Sequence, residues 1–272
     1  IILKKEDRKG LNGSVSLNTG TPNNHSLGLS INQRTEHFNL FGQLGVGYRT
    51  VPADLESRNE DLQTGTSTES EGDSEKNETF TNVILGTDYH IDENNVISLT
   101  GQFAYEWEDE FSTLRFTQFD ANDILLNDWI RDETTEATNP KWQYELRYQH
   151  KLTRLDVSPD DDRKHDLLIS AVGNSFVKDQ ASTFETEVFL GEPLAGDQQT
   201  RTDFGETEYL FGVDYVRPVH KSYTLETGAQ YLYTVTGNDF VTSEREEDQF
   251  VDIPELSNNF SFDQWVSADY AT

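Results

Sequence analysis

The sequence predicts an all-β protein, an antiparallel transmembrane β-barrel with about ten of its strands in this chain, and three observations carry that prediction. Apolar and polar side chains alternate at every second position over long stretches, the period of a strand with two different faces. No run of about 18 apolar residues is present, so a membrane helix is excluded while membrane strands are not. After the first hairpin the connections alternate long, short, long, short, as barrels do with short periplasmic turns and longer outer loops.

The clearest early stretch is Gly10 to Arg49, read as three antiparallel strands. Leu11, Val15 and Leu17 share one parity in the first; after the turn Thr21-Pro22-Asn23-Asn24, Leu27, Leu29 and Ile31 do so in the second. The third sets Phe38, Leu40, Leu44, Val46 and Tyr48 against Asn39, Gln43 and Arg49. Val51 to Asn77 has almost nothing to bury and is expected to be a long acidic loop. A fourth strand sets Val83, Leu85, Tyr89 and Ile91 against Asn82, Asp88 and His90, and Asp92 to Asn95 turns. The fifth gathers Ile97, Leu99, Phe103, Tyr105 and Trp107 opposite Ser98, Thr100, Gln102 and Glu106, with continuation to about Phe119. Asp120 to Pro140 is expected to be a second long connection.

The sixth strand alternates without exception: Lys141, Gln143, Glu145, Arg147 and Gln149 against Trp142, Tyr144, Leu146 and Tyr148. Thr153 to His165 connects to a seventh strand from about Asp166 to Phe176, resuming over Thr183 to Leu190. Past a loop from Gly191 to Arg201, the eighth places Tyr209, Phe211, Val213 and Tyr215 against Glu206, Glu208 and Asp214. Pro218 to Lys221 is read as a tight turn. The ninth sets Tyr223, Leu225, Ala229, Tyr231, Tyr233 and Val235 against Thr224, Glu226, Gln230 and Thr234, and an acidic loop from Gly237 to Asn259 precedes the tenth. There Phe260, Phe262, Val266 and Tyr270 are in phase, while Trp265 falls on the other parity and is expected to face the lumen. Many of these strands exceed the roughly 9 to 11 residues that cross a bilayer and should project beyond it.

Composition narrows the function. The 272 residues include no cysteine, so disulfides and thiolate metal sites are excluded, and no methionine, so the chain is expected to begin inside a longer polypeptide. With 50 acidic against 21 basic residues the net charge is -29, which repels phosphates and argues against nucleic acid as a partner. No signal peptide is visible, so export to the bacterial outer membrane is an inference from the strand pattern.

If lipid covers the apolar face, the other face lines a watery lumen. Candidates there for contact with an interior domain or substrate are Asn39, Gln43, Arg49, Asn82, Asp88, Gln102, Lys141, Glu145, Arg147, Glu206, Glu226 and Gln230. Tyr48, Tyr105, Trp107, Trp142, Tyr144, Tyr148, Tyr215, Tyr231 and Tyr233 share parity with their strands' apolar residues and are expected at the lipid interfaces rather than on a sugar-stacking platform.

Several phrases resemble the TonB-dependent outer-membrane receptors, in particular the outer-membrane β-barrel family of Bacteroidota. IILKK at Ile1 to Lys5 resembles the closing strand of their plug domain, so residues 1–9 read as plug end or linker and 10–272 as a partial barrel. GLNGSVSLNTGTP, INQRTEHFNLFG and LGTDYHIDENNVISLTG resemble that family's first hairpins, with the likeness strongest up to about Gly101. The resemblance implies a plugged barrel of 22 strands, of which about ten are here. It implies uptake of a nutrient such as a siderophore, glycan or peptide. The expected partners are outer-membrane lipid, a plug domain and TonB through further sequence, and a surface lipoprotein.

No nucleophile, base and orienter set stands out, so no enzyme activity and no cofactor is expected. His37, His90, His150 and His220 sit near strand ends, where solvated histidine is ordinary. Asp160-Asp161-Asp162 and Ser243 to Gln249 carry enough carboxylates for calcium but lack the spacing of a dedicated loop. The competing reading is a soluble or surface-attached β-rich binding or adhesion module, in which a second sheet covers the apolar face.

Overall fold

The computed structural model describes residues 10–152, 165–220 and 223–272. They form one antiparallel sheet of twelve strands: β1 Gly10–Gly20, β2 Asn23–Arg34, β3 Phe38–Glu60, β4 Ser67–His90, β5 Asn95–Phe119, β6 Leu125–Thr138, β7 Lys141–Lys151, β8 Asp166–Leu190, β9 Gln198–His220, β10 Tyr223–Glu246, β11 Gln249–Asp252 and β12 Asn258–Ala271. A single 3-10 turn, Pro254–Leu256, separates the last two. β6 and β7 both lie between β5 and β8, and β11 and β12 both flank β10, so the twelve strands fill ten lanes.

β6 and β7 are one strand interrupted at Asn139-Pro140. Thr138 pairs with Trp107 and Lys141 with Ala104, an unbroken register, and the break falls where Pro140 has no N–H to give to the ladder. Among the described residues two edges stay open, since β1 pairs there only with β2 and β12 only with β10. They run in opposite directions.

Several stretches expected to be loops are strands instead. Residues 51–77 complete the long β3–β4 hairpin around a connection of residues 61–66, and 120–140 supply β6. β8 runs without a break to Leu190, β9 begins at Gln198 inside the expected loop, and β10 and β11 occupy most of 237–259. Pro218-Val219-His220 also belongs to β9; Lys221 lies outside the described residues, as do residues 1–9 and 153–164. Apart from Pro218-Val219-His220, which lies at the opposite, short-turn end, these stretches share one physical reason. Where both faces of a projecting strand meet water, the ladder forms with polar side chains on both sides and the apolar period disappears.

Tight turns close the projecting hairpins through aspartate. Asp61 Oδ1 accepts the N–H groups of Gln63 (2.8 Å) and Thr64 (3.3 Å), and Asp120 Oδ1 those of Asn122 (2.8 Å) and Ile124 (2.9 Å). Those bonds hold both carboxyls below the ordinary aspartate range.

The described residues form no second layer over the sheet. Trp129 and Ala137 are the only buried apolar side chains among the described residues, whereas Leu27 is 39%, Leu99 50% and Tyr231 42% exposed. Burial in a soluble sandwich would cover these side chains from above. Here no described segment covers them.

Cross-strand pairing carries the apolar face from lane to lane. Leu29, Leu44, Val83, Phe103 and Trp142 form one row, but that row continues into Ser175, Thr207, Val235 and Asp263. The apolar stretch therefore slides along the strands by roughly six residues across the sheet, a strand tilt of about 25° at ordinary spacings. Ile97 to Trp107 of β5, at about 3.4 Å per residue and that tilt, spans on the order of 30 Å, the thickness of a hydrocarbon core.

Candidate functional site: the polar face of the wall

Antiparallel partners point to the same side, so register decides which residues share a face. All twelve lumen candidates fall on one side. Asn39, Asp88, Ser98 and Arg147 occupy one row; Gln43, Ile84, Gln102 and Gln143 another; Asn82, Ala104, Lys141, Phe176 and Glu206 a third. Arg49 pairs with Glu78, Glu145 with Thr100, Glu226 with Val216 and Gln230 with Gly212.

Two polar networks organise this face. Near the lower end, Asn32 Nδ2 donates to Asn39 Oδ1 (3.0 Å), Asn39 Nδ2 to Asp88 (3.1 Å) and Ser98 Oγ to Asp88 (2.7 Å). At the upper end, Lys76 Nζ bridges Glu78 and Glu108 at 3.0 Å each, and Arg49 binds Glu78. Glu78 and Glu108 are buried, and Asn139 Nδ2 donates to Glu108 at 2.5 Å. Buried carboxylates persist because each has a cation or an amide donor within reach. Glu78, Glu108 and Asn139 were not among the sequence candidates: Glu78 stands at the first residue of the expected fourth strand, Glu108 just past the alternating stretch of the fifth, and Asn139 inside the expected loop of residues 120–140.

The nine aromatic candidates all lie on the opposite face. Tyr48 and Trp107 flank Thr79, Tyr105 pairs with Thr81, Tyr148 with Ile97, Tyr215 with Leu167 and Tyr231 with Phe211. Trp142 packs on Phe103 with ring centroids 4.2 Å apart, and the Tyr144 ring covers Gly173, where any side chain would collide with it.

One expectation is reversed. Trp265 pairs with Tyr233 and stacks on it at 5.5 Å, which places it on the apolar face, while Phe260, Phe262, Val266 and Tyr270 lie on the polar face beside Asn238, Thr236, Leu232 and Gly228. Tyr270 reaches over Gly228 and donates to Asp214 at 2.8 Å. Alternation within a strand fixes two sets of residues; only neighbours fix which set faces which solvent.

Among the described residues no three His, Asp or Glu side chains converge on a metal position. Ser243 to Gln249 spans the β10–β11 hairpin, and Asp160 to Asp162 lies outside the described residues. His37 and His150 each contact a neighbour through Nδ1, the His90 carbonyl at 3.2 Å and Asn95 at 2.6 Å.

A tilted, single-layer antiparallel sheet with one oily and one watery face has the build of an outer-membrane β-barrel wall. Residues 160–272, under half of the chain, match the profile described as Outer membrane protein beta-barrel family, which supports an outer-membrane β-barrel protein. That match lies in the part where the phrases quoted above had faded into general barrel character. No curated protein matches the chain.

Proposed function

We propose that the chain forms part of the wall of a TonB-dependent outer-membrane receptor that takes up a nutrient without altering it chemically. The observation that carries this reading is an apolar face that no described segment covers, backed by a continuous polar face. In the bilayer the open edges of β1 and β12 are paired, because unpaired backbone groups in hydrocarbon cost several kcal/mol each; further strands of a larger, plugged barrel complete the wall. The polar face holds the plug, the projecting hairpins meet ligand outside, and TonB supplies the work that moves the plug. A surface lipoprotein caps the outer opening.

Two measurements test this. The protein is expected in the outer-membrane fraction, extracted only by detergent; recovery as a detergent-free soluble monomer refutes it. Cells lacking the gene and cells lacking TonB are expected to lose uptake of the same nutrient, and uptake that survives loss of TonB removes the receptor assignment.

A further inference from the structure

Beside the upper network, the polar face holds a cavity of about 200 Å³ whose lining includes Arg49, Phe80, Ala104, Glu106, Asn139 and Lys141. Drug-sized ligands occupy roughly 300–1,000 Å³, so this one admits only a small solute. Its depth comes from Ala104, a small residue in a row of long ones between Asn82 and Lys141.

The cavity presents two unmet demands. Asn139 is 7% exposed and its Oδ1 has no partner among the described residues. The amide cannot turn round to relieve this: its nitrogen faces Glu108, whose carboxylate only accepts, so the oxygen must point away from it. A buried acceptor left bare costs about 1–3 kcal/mol. Close by, Glu106 is held only loosely, 3.7 Å from Arg49, and its own carboxylate adds to the demand for a donor.

The second demand is for an anion. Lys141 lies two residues from Asn139 on the same face, its Nζ 5.3 Å from the Phe176 ring centroid, with no carboxylate partner among the described residues. An acceptor pair and an ammonium without a carboxylate partner among the described residues, side by side, match a ligand that carries a donor cation and an anion on one carbon. Phe80, under the Arg49 guanidinium at 5.9 Å, supplies an apolar wall.

We propose that this cavity binds a free α-amino acid as its zwitterion, the ammonium on Asn139 Oδ1 and Glu106, the carboxylate on Lys141, and an aliphatic side chain along Phe80. The assignment rests on the polar face being the lumen wall, as argued above.

The test uses the complete protein extracted in detergent from the outer membrane, with L-leucine as the probe and binding followed by saturation-transfer NMR. L-Leucine is expected to bind saturably, while 4-methylpentanoate, which lacks the ammonium, and 3-methylbutylamine, which lacks the carboxylate, bind at least tenfold more weakly. Asn139→Leu and Lys141→Gln are each expected to weaken L-leucine at least tenfold, and Glu93→Gln, exposed in the β4–β5 turn at the opposite end of the strands, to leave it unchanged. Each variant is first checked for the gel shift on boiling that marks a folded barrel, and Glu106→Gln replaces any that fails. Absence of saturable binding by the folded protein, or equal binding of all three probes, overturns the site and shows Asn139 to be met by water alone. Lipid quenching of Trp142 on the same sample separates the two ideas: quenching without leucine binding removes the site and keeps the wall.

Discussion

Replacing Leu146 with arginine probes the apolar face where lipid is deepest. Leu146 lies midway between Trp142 and His150 on β7, paired with Leu99 and Ala171 and 48% exposed in the protein alone. Lipid must cover that remaining half, a contribution on the order of 2 kcal/mol at 25 cal/mol per Å². Arginine forfeits it and brings a charge, which puts the total in the range of about 2–4 kcal/mol for a cation at the midplane of a barrel wall. Gln143→Arg on the polar face of the same strand should cost less than about 1 kcal/mol, and Trp107→Arg at the interface about 0–1 kcal/mol for the charge itself. Urea unfolding of the protein in lipid vesicles, followed by tryptophan fluorescence, reads all three. Equal costs for Leu146→Arg and Gln143→Arg would refute the assignment of faces.

Other consequences follow from particular contacts. Gly173→Val should destabilise by about 1–3 kcal/mol, because the Tyr144 ring occupies the space a side chain needs. Glu78→Ala removes the carboxylate that Arg49 and Lys76 share, leaving Lys76 on Glu108 and Arg49 near Glu106, and should cost about 1–2 kcal/mol, discounted from a fully buried pair because both cations are partly exposed. The Asp61 and Asp120 turns should be intact above the unperturbed aspartate value of about 3.9 and open as pH falls through their depressed values. Hydrogen exchange at Gln63, Asn122 and Ile124 should then rise below pH 4 while belt amides stay protected. Protection of those turn amides that does not change with pH contradicts the turn chemistry.

The crossing segments were legible because the bilayer imposes two solvents on each strand. Trp142, Tyr144, Leu146 and Tyr148 against Lys141, Gln143, Glu145 and Arg147 needs no structure to interpret. The projecting halves were not legible, since Ser67 to Asn77 meets water on both sides and carries no period, although its ladder with β3 is continuous from Glu60 to Phe38. β12 failed for another reason. Its alternation was read correctly, but its more numerous apolar set was taken for the lipid side, whereas the register with β10 puts Trp265 beside Tyr233 and turns Phe260, Phe262, Val266 and Tyr270 to the polar face. The candidate cavity was half visible: Arg49 and Lys141 were singled out from the sequence, whereas Asn139 hid beside Pro140 in a stretch that looked like a loop.

The most direct measurement is quenching of single-tryptophan variants that retain Trp142 or Trp129, by lipids brominated along the acyl chain and by aqueous iodide. Trp142, 56% exposed on the apolar face, should be quenched by brominated lipid and spared by iodide, while Trp129, 3% exposed in the projecting hairpins, should respond weakly to both. Strong iodide quenching of Trp142 with no response to brominated lipid would put water where this account puts hydrocarbon.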